Sequence, residues 1–338
     1  MTDEKPEPDK PVLPPQTLPE SLCVRLHGFS EQADAEALGH NVIAAMRELS
    51  VFLDLGRVDG VTIAYDYDAA LASLDRGFVA SRPLERTLDG RIVGVAMAPL
   101  VRRDGVVKTH LVFDASQLLP LRDVEDPLWK QALGLLAHEC AHAMMRKLQD
   151  EAMPGVLLQP HRGDAETALV DEDAWSIIDE FAACRLSGRF AADEQLAAYE
   201  ACFVGALEAA LPESREAIRS YRIHGNIDRV LVEAGRALLE PLRLAAYLAG
   251  HLKALDLDLS AALKAQAALD KSPLKPFVLE AMTSAEDAVR ALLQGKAPDR
   301  TPLHGVLRRV LAWGGLHLRP LPDGRFYVDI PLRAETIP

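Results

Sequence analysis

The chain has 338 residues, about half of them apolar, and 50 acidic side chains against 37 basic ones give a formal net charge of −13. That length supports one large core or two modest ones. The negative surplus argues against a nucleic-acid partner, because phosphate contacts need a basic surface. No apolar run approaches the roughly 18–20 residues of a membrane span, and the opening Met1–Pro11 lacks the apolar stretch of a secretory signal. The expectation is a cytoplasmic protein with no membrane partner.

Residues 1–20 hold six prolines among charged and polar residues, a composition that favours an extended tail. A strand is expected at Leu22–Leu26. A helix follows from about Glu31 to Leu53, with Ala35, Leu38, Val42, Met46, Leu49 and Phe52 on one stripe. Val61–Tyr65 reads as a second strand. Residues 92–101 and 106–113 form the clearest hairpin, two β-rich runs around Arg103-Asp104-Gly105. Pro99 places the first of them at a sheet edge, since proline cannot donate to a ladder on both sides.

The most informative segment comes next. From Pro127 to Leu148 there is no internal proline and one glycine, Gly134, while Leu133, Leu136, Cys140, Ala143 and Met144 recur at the steps of a buried helix. Inside it, His138-Glu139-Cys140-Ala141-His142 is an H-E-x-x-H motif. Positions i and i+4 of a helix share a face, so His138 and His142 can converge on one metal ion. Glu139, turned about 100° around the axis, can reach a water on the open side of that ion. The bland alternative is a histidine pair satisfied by ordinary hydrogen bonds.

With these residues the chain resembles the zincin metallopeptidases, and more narrowly the gluzincins, whose third ligand is a glutamate on a later helix. In the other large zincin branch the motif continues to a glycine and a third histidine. Met145 and Leu148 occupy those positions here and exclude it. The resemblance implies zinc as cofactor, and it directs attention to Asp171–Arg185. There Glu180 is flanked at i−4, i+3 and i+4 by Ser176, Ala183 and Cys184, small residues that let two helices approach closely. Glu180 is the expected third ligand, with Glu172, Asp173 and Asp179 as competitors. Asp173 or Asp179 can also serve as hydrogen-bond partner to a ligating imidazole. Cys184 is a conceivable thiol ligand, whereas Cys140 points about 200° away from His138.

A loop of about twenty residues, Asp150 to Leu169, is expected between the two helices; it contains His161, read as an exposed loop histidine ahead of one that touches a metal or substrate. From about Ala191 to Trp313 the pattern is helical, at Leu196–Leu211, Val230–Leu252, Ala261–Leu269 and Leu279–Leu293, with breaks near Pro212, Gly225 and Ser272-Pro273. Leu316–Leu318 and Arg325–Ile330 flank Pro322-Asp323-Gly324 as a terminal β-hairpin. Zinc peptidases commonly place a Tyr, His or Arg donor where the oxyanion forms. Tyr221, His224 or Arg185 are candidates, against a plain helix-end polar cluster before Gly225. The four cysteines at 23, 140, 184 and 202 form no C-x-x-C pair and read as reduced thiols.

The expected class is α+β: a Pro-rich tail over 1–20, a zincin-like subdomain over 21–150 carrying the motif helix, and a mostly helical subdomain over 151–338 ending in the hairpin. The function implied by the resemblance is a zinc-dependent metallopeptidase. His138, His142 and Glu180 hold the metal, Glu139 is the general base, and Tyr221 and His224 are oxyanion candidates. The substrate is a peptide or protein; the oligomeric state is not set by the sequence. The alternative is a metal-binding regulatory or sensor protein without general peptidase activity. The intact Glu139 argues against it, since a retired site has no need of a general base.

Overall fold

A computed structural model describes residues 14–80, 82–87, 93–159 and 163–337. The expectations for residues 1–13, for Ile92 and for His161 lie outside them.

The chain opens with β1 (Val24–His27), crosses through α1 (Gln32–Leu49) and returns as β2 (Val58–Ala64), parallel to β1. The α1 stripe buries Leu38, Val42, Met46 and Leu49 on the sheet side. Phe52, expected on that stripe, falls beyond the helix end and is mostly exposed. β2 is almost continuously buried, the pattern of an interior strand covered on both faces. A short helix not foreseen from the sequence, α2 (Tyr67–Ser73), starts where the Asp66 carboxylate accepts the Ala69 N–H. At seven residues it is too short for a helical period to emerge.

The expected hairpin is present as β3 (Ala96–Met97), β4 (Leu100–Arg103) and β5 (Val106–Asp114). Asp104 and Gly105 both take positive φ, 50° and 79°, as a tight two-residue hairpin turn requires. β5 runs parallel to β2 and antiparallel to β3 and β4, so β5 is interior and β3 with β4 forms the outer strand. That outer strand is interrupted at Ala98-Pro99, the break proline makes at an edge.

After the short α3 (Ala115–Leu118) comes the motif helix α4 (Trp129–Ala152). The next helix, α5 (Ala165–Ser187), starts earlier than expected because Asp164 caps it, accepting the Thr167 N–H. The connection is therefore shorter than the twenty residues expected. α6 (Gln195–His224) and α7 (Ile227–Ala254) follow. α6 runs straight through Pro212, where a break was expected. Pro212 and Glu208, whose carbonyl loses its bond, are both exposed, so water replaces the missing N–H. Gly225, at φ 68°, ends the helix as expected. α8 (Leu263–Lys271), α9 (Lys275–Leu293), α10 (Thr301–Gly314) and the antiparallel pair β6 (His317–Pro320) and β7 (Phe326–Asp329) complete the chain. The molecule is thus α+β, with one small mixed sheet, a helical second half and a terminal hairpin. No helix among the described residues is long and apolar enough to cross a membrane.

Two large apolar cores result, beside a small cluster of Ala64, Tyr67, Ala70, Leu71 and Val112. One packs α1, β2, β5 and α4, with Ala183 of α5 added; the other packs α5 to α10 and takes in Met145 of α4. The α4–α5 contact therefore lies where the cores meet. α5 is locked to α7 by a close approach in which the backbone oxygen of Phe181 faces Gly250, and a Cβ there would stand 2.3 Å from it. At its other end α5 is held by Asp171, which accepts from Arg300 Nε at 2.7 Å and lies 2.8 Å from His304 Nε2 on α10.

Gly250→Ala should therefore cost on the order of 2–4 kcal/mol, because backbone rather than a side-chain tip must move. Gly205→Ala, on α6 where a Cβ meets nothing within 4 Å, should stabilise by about 0.5–1 kcal/mol. Denaturant midpoints of the two variants test this pair of opposite signs. Although burial opposes ionisation of Asp171, His304 and Arg300 hold its pKa at about 2, below the ordinary 3.8. A depressed carboxylate contributes stability above its unfolded pKa and loses it as pH falls from about 4 to 2. Asp171→Asn should accordingly be less stable by about 2 kcal/mol at pH 6, and unfolding curves should show that gap closing near pH 2.

Candidate metal centre

α4 presents His138, Glu139 and His142 on the side facing α5, and one ligand atom from each lies within 4.8 Å of the others. α5 brings Glu180 to the same point. His138 Nε2 and His142 Nε2 are 3.1 Å apart, and Glu180 Oε2 is 3.4 Å from the first and 3.6 Å from the second. Metal bonds of about 2.0–2.2 Å would give a tetrahedron an edge of roughly 3.3–3.6 Å, so these three atoms are spaced as ligands of one zinc-sized ion. Glu180 Oε2 is buried without a hydrogen-bond partner. A buried carboxylate oxygen is seldom left unmatched, and a cation at the centre of this triangle would satisfy it. The donor set, two imidazoles and one carboxylate, suits zinc and leaves a coordination position open.

The surroundings orient each ligand. Asp179 Oδ2 lies 3.0 Å from His142 Nδ1, at an angle outside a good hydrogen bond, and takes a bond of 2.8 Å from Arg146 Nη2. Burial opposes ionisation of Asp179, but Arg146 and His142 bring its pKa down to about 2. Of the two carboxylates considered for this supporting role, Asp179 is therefore in place. Asp173 and Glu172 lie toward the start of α5, against a different cavity. The His138 ring stacks on Tyr247 of α7, with centroids 5.9 Å apart at 15°. Its Nδ1 faces Cys184 Sγ at 3.8 Å, so Cys184 sits behind the imidazole and away from the ligand atoms. Burial works against a charged His138, yet Cys184 and Glu180 push its pKa well above the ordinary histidine value. Burial likewise opposes a charged Glu180, but His138, His142 and the Tyr247 hydroxyl hold its carboxyl below the usual range.

Glu139 is only 6% exposed, and burial raises its pKa against the lowering effect of the two histidines. A carboxyl so placed takes up a proton more readily than a solvated one. It borders a cavity of about 410 Å³ that also contains His138, His142 and Glu180. One wall of this cavity is the outer strand, from Val93 to Ala98. Val95 O accepts the Asp114 N–H of β5, so by the alternation of a ladder the Ala96 N–H and C=O face away from the sheet. Ala96 is itself among the residues that line the cavity.

Further lining comes from α6 and α7 as Tyr199, Arg243, Tyr247 and His251. None of these was singled out in the sequence. The signal available was the spacing of Arg243, Tyr247 and His251 at i, i+4 and i+8 among small residues, which puts all three on one helical stripe. Tyr221 and His224 are placed elsewhere, at the C-terminal end of α6. Tyr221 packs on the helical core, and His224 Nδ1 accepts the Asn226 N–H in the turn to α7. Neither lines the cavity, and nor does Arg185, which lies 4.0 Å from Glu286. The reason is the uninterrupted α6: running through Pro212, it carries residues 221–224 to the far end of the helical half.

No family model, curated protein or solved structure matches this chain.

The geometry assigns distinct roles that metal analysis can separate. His138→Ala and His142→Ala should each abolish stoichiometric zinc. Glu180→Ala should weaken binding markedly, and Asp179→Asn, which keeps all three ligand atoms, should weaken it about 10–100-fold. Zinc retained in full by both histidine variants would remove the assignment.

Proposed function

We propose that the chain is a zinc-dependent metallopeptidase with a zincin-like arrangement of sheet edge and motif helix. The observation that carries this reading is the convergence of His138, His142 and Glu180 beside a buried Glu139, in a cavity walled by an outer strand with outward-facing backbone groups. A bound zinc ion would act there as a Lewis acid on a peptide carbonyl and would make a water acidic enough to ionise near neutral pH.

The chain's own residues supply the remainder. Glu139 accepts a proton from the attacking water and returns it to the amine as the C–N bond breaks. A dry carboxyl of raised pKa is suited to holding that proton between the two transfers. The Ala96 amide and carbonyl pair with an extended substrate backbone, adding a strand to the sheet and presenting the scissile carbonyl along the cavity. Asp179 and Arg146 keep the His142 ring in position. Tyr199 and Tyr247 line the same cavity, but the Tyr247 hydroxyl bonds Glu180 and the Tyr199 hydroxyl lies 3.7 Å from Cys184 Sγ, so the oxyanion would be stabilised by a bound metal ion itself.

The test is a pair of measurements on one variant. Glu139→Gln should retain about one zinc per chain while hydrolysis of a mixed peptide library falls about 10²–10⁴-fold. Zinc bound at full occupancy by the wild-type protein, with no library peptide cleaved, would instead leave a metal-binding protein that is not a general peptidase.

A further inference from the structure

A second cavity, of about 420 Å³, opens beside the first and shares Thr87 and Arg243 with it. It occupies the groove between α5 and α7, two helices that run side by side in the same direction. Its walls join apolar Leu169, Ile177, Leu231 and Leu239 to charged side chains, of which Glu172 and Asp173 stand on α5 and Arg236, Glu240 and Arg243 on α7. Asp173 precedes Glu180 by seven residues, two helical turns, and so lies on the same face about 10 Å away along the axis.

The charges in this cavity are unevenly matched. Arg243 is engaged by Glu240, whose two carboxylate oxygens each lie 2.9 Å from Nη2. Arg236 is exposed at the rim. The Asp173 carboxyl has no hydrogen-bond or ion-pair partner among the described residues; burial together with Glu172 raises its pKa to about 6, against a smaller lowering by Arg243. A cavity with an apolar stretch of wall and a carboxylate that bonds no side chain fits a ligand with a long apolar stem and a cationic head.

We propose that this cavity is a side-chain subsite taking a lysine or arginine of the substrate, with Asp173 as the counter-ion. The proposal rests on the peptidase reading and names the class of peptide it would act on. The reach is consistent. An extended peptide advances about 3.3 Å per residue, so a residue two or three places from the scissile bond lies within about 10 Å of it. The net charge of −13 favours approach of a basic peptide in the same direction.

The test uses blocked alanine hexapeptides in which one lysine is moved through each position, against the same set with norleucine. Binding is measured on Glu139→Gln protein, so that turnover does not interfere, and cleavage is measured on the zinc-loaded wild type. At one position lysine should bind about tenfold or more tighter than norleucine, and cleavage should favour the same peptide. Adding Asp173→Asn should erase the difference, and Glu172→Gln should reduce it, with melting temperatures verifying that both variants fold. Equal or undetectable binding of the two sets, or discrimination that survives Asp173→Asn, would overturn the subsite. Lysine-dependent binding without any cleavage would sustain the subsite and remove the peptidase reading. Cleavage without a preference for lysine would do the reverse.

Discussion

The candidate site depends on how closely three helix backbones approach. Gly250 leaves no room for a Cβ between α7 and the Phe181 carbonyl of α5. Ala183 of α5 is packed into the core that holds α4. These contacts set where Glu180 stands relative to His138 and His142, and where Tyr247 stands relative to both. A carboxylate and two imidazoles brought out of water at such distances repel or attract strongly, because the medium screens them little. Their positions are tolerable only while each is matched. Asp179 with Arg146 matches one side of the cluster, and the Glu180 oxygen without a hydrogen-bond partner leaves a point that a cation would match.

The two imidazoles are held differently. His142 backs onto an ionised carboxylate that is itself tied to an arginine, which sets a negative charge behind the ring. His138 backs onto a thiol and leans on an aromatic face. The α4–α5 pair also spans both apolar cores, so the groups that would hold the metal are supplied from the junction and not from one core alone. Loss of packing on either side is thereby felt at the ligand triangle.

What could be read in the sequence followed from local spacing. His138, Glu139 and His142 share a helix, and Glu180 was found because its small neighbours imply a close helix contact. Asp104-Gly105 fixed the hairpin, and Pro99 fixed which of its strands is outermost. The residues that were missed come from distant segments. Tyr199, Arg243 and Tyr247 reach the cavity only because α6 carries the chain away and α7 brings it back, and no local period records that return. The run of α6 through Pro212 depends on the solvent exposure of Glu208, which is a property of the packed molecule. Tyr221 and His224 were chosen for their chemistry alone, and the uninterrupted helix puts them out of range. α2 was overlooked because a helix of two turns has no room for a pattern.

The outer strand has one more consequence. Near its start Gly94 is bonded to Thr87, and further along Arg102 is bonded to Arg76. Between those two points only a short length of edge, already broken by Pro99, is open to pairing. A strand belonging to a folded sheet is longer than this, and its flanks are occupied by its own neighbours. A peptide docking at this edge, as proposed, would consequently be selected by shape before any side chain is read: a frayed terminus, an exposed loop or an unfolded chain would enter, and an intact domain would be turned away.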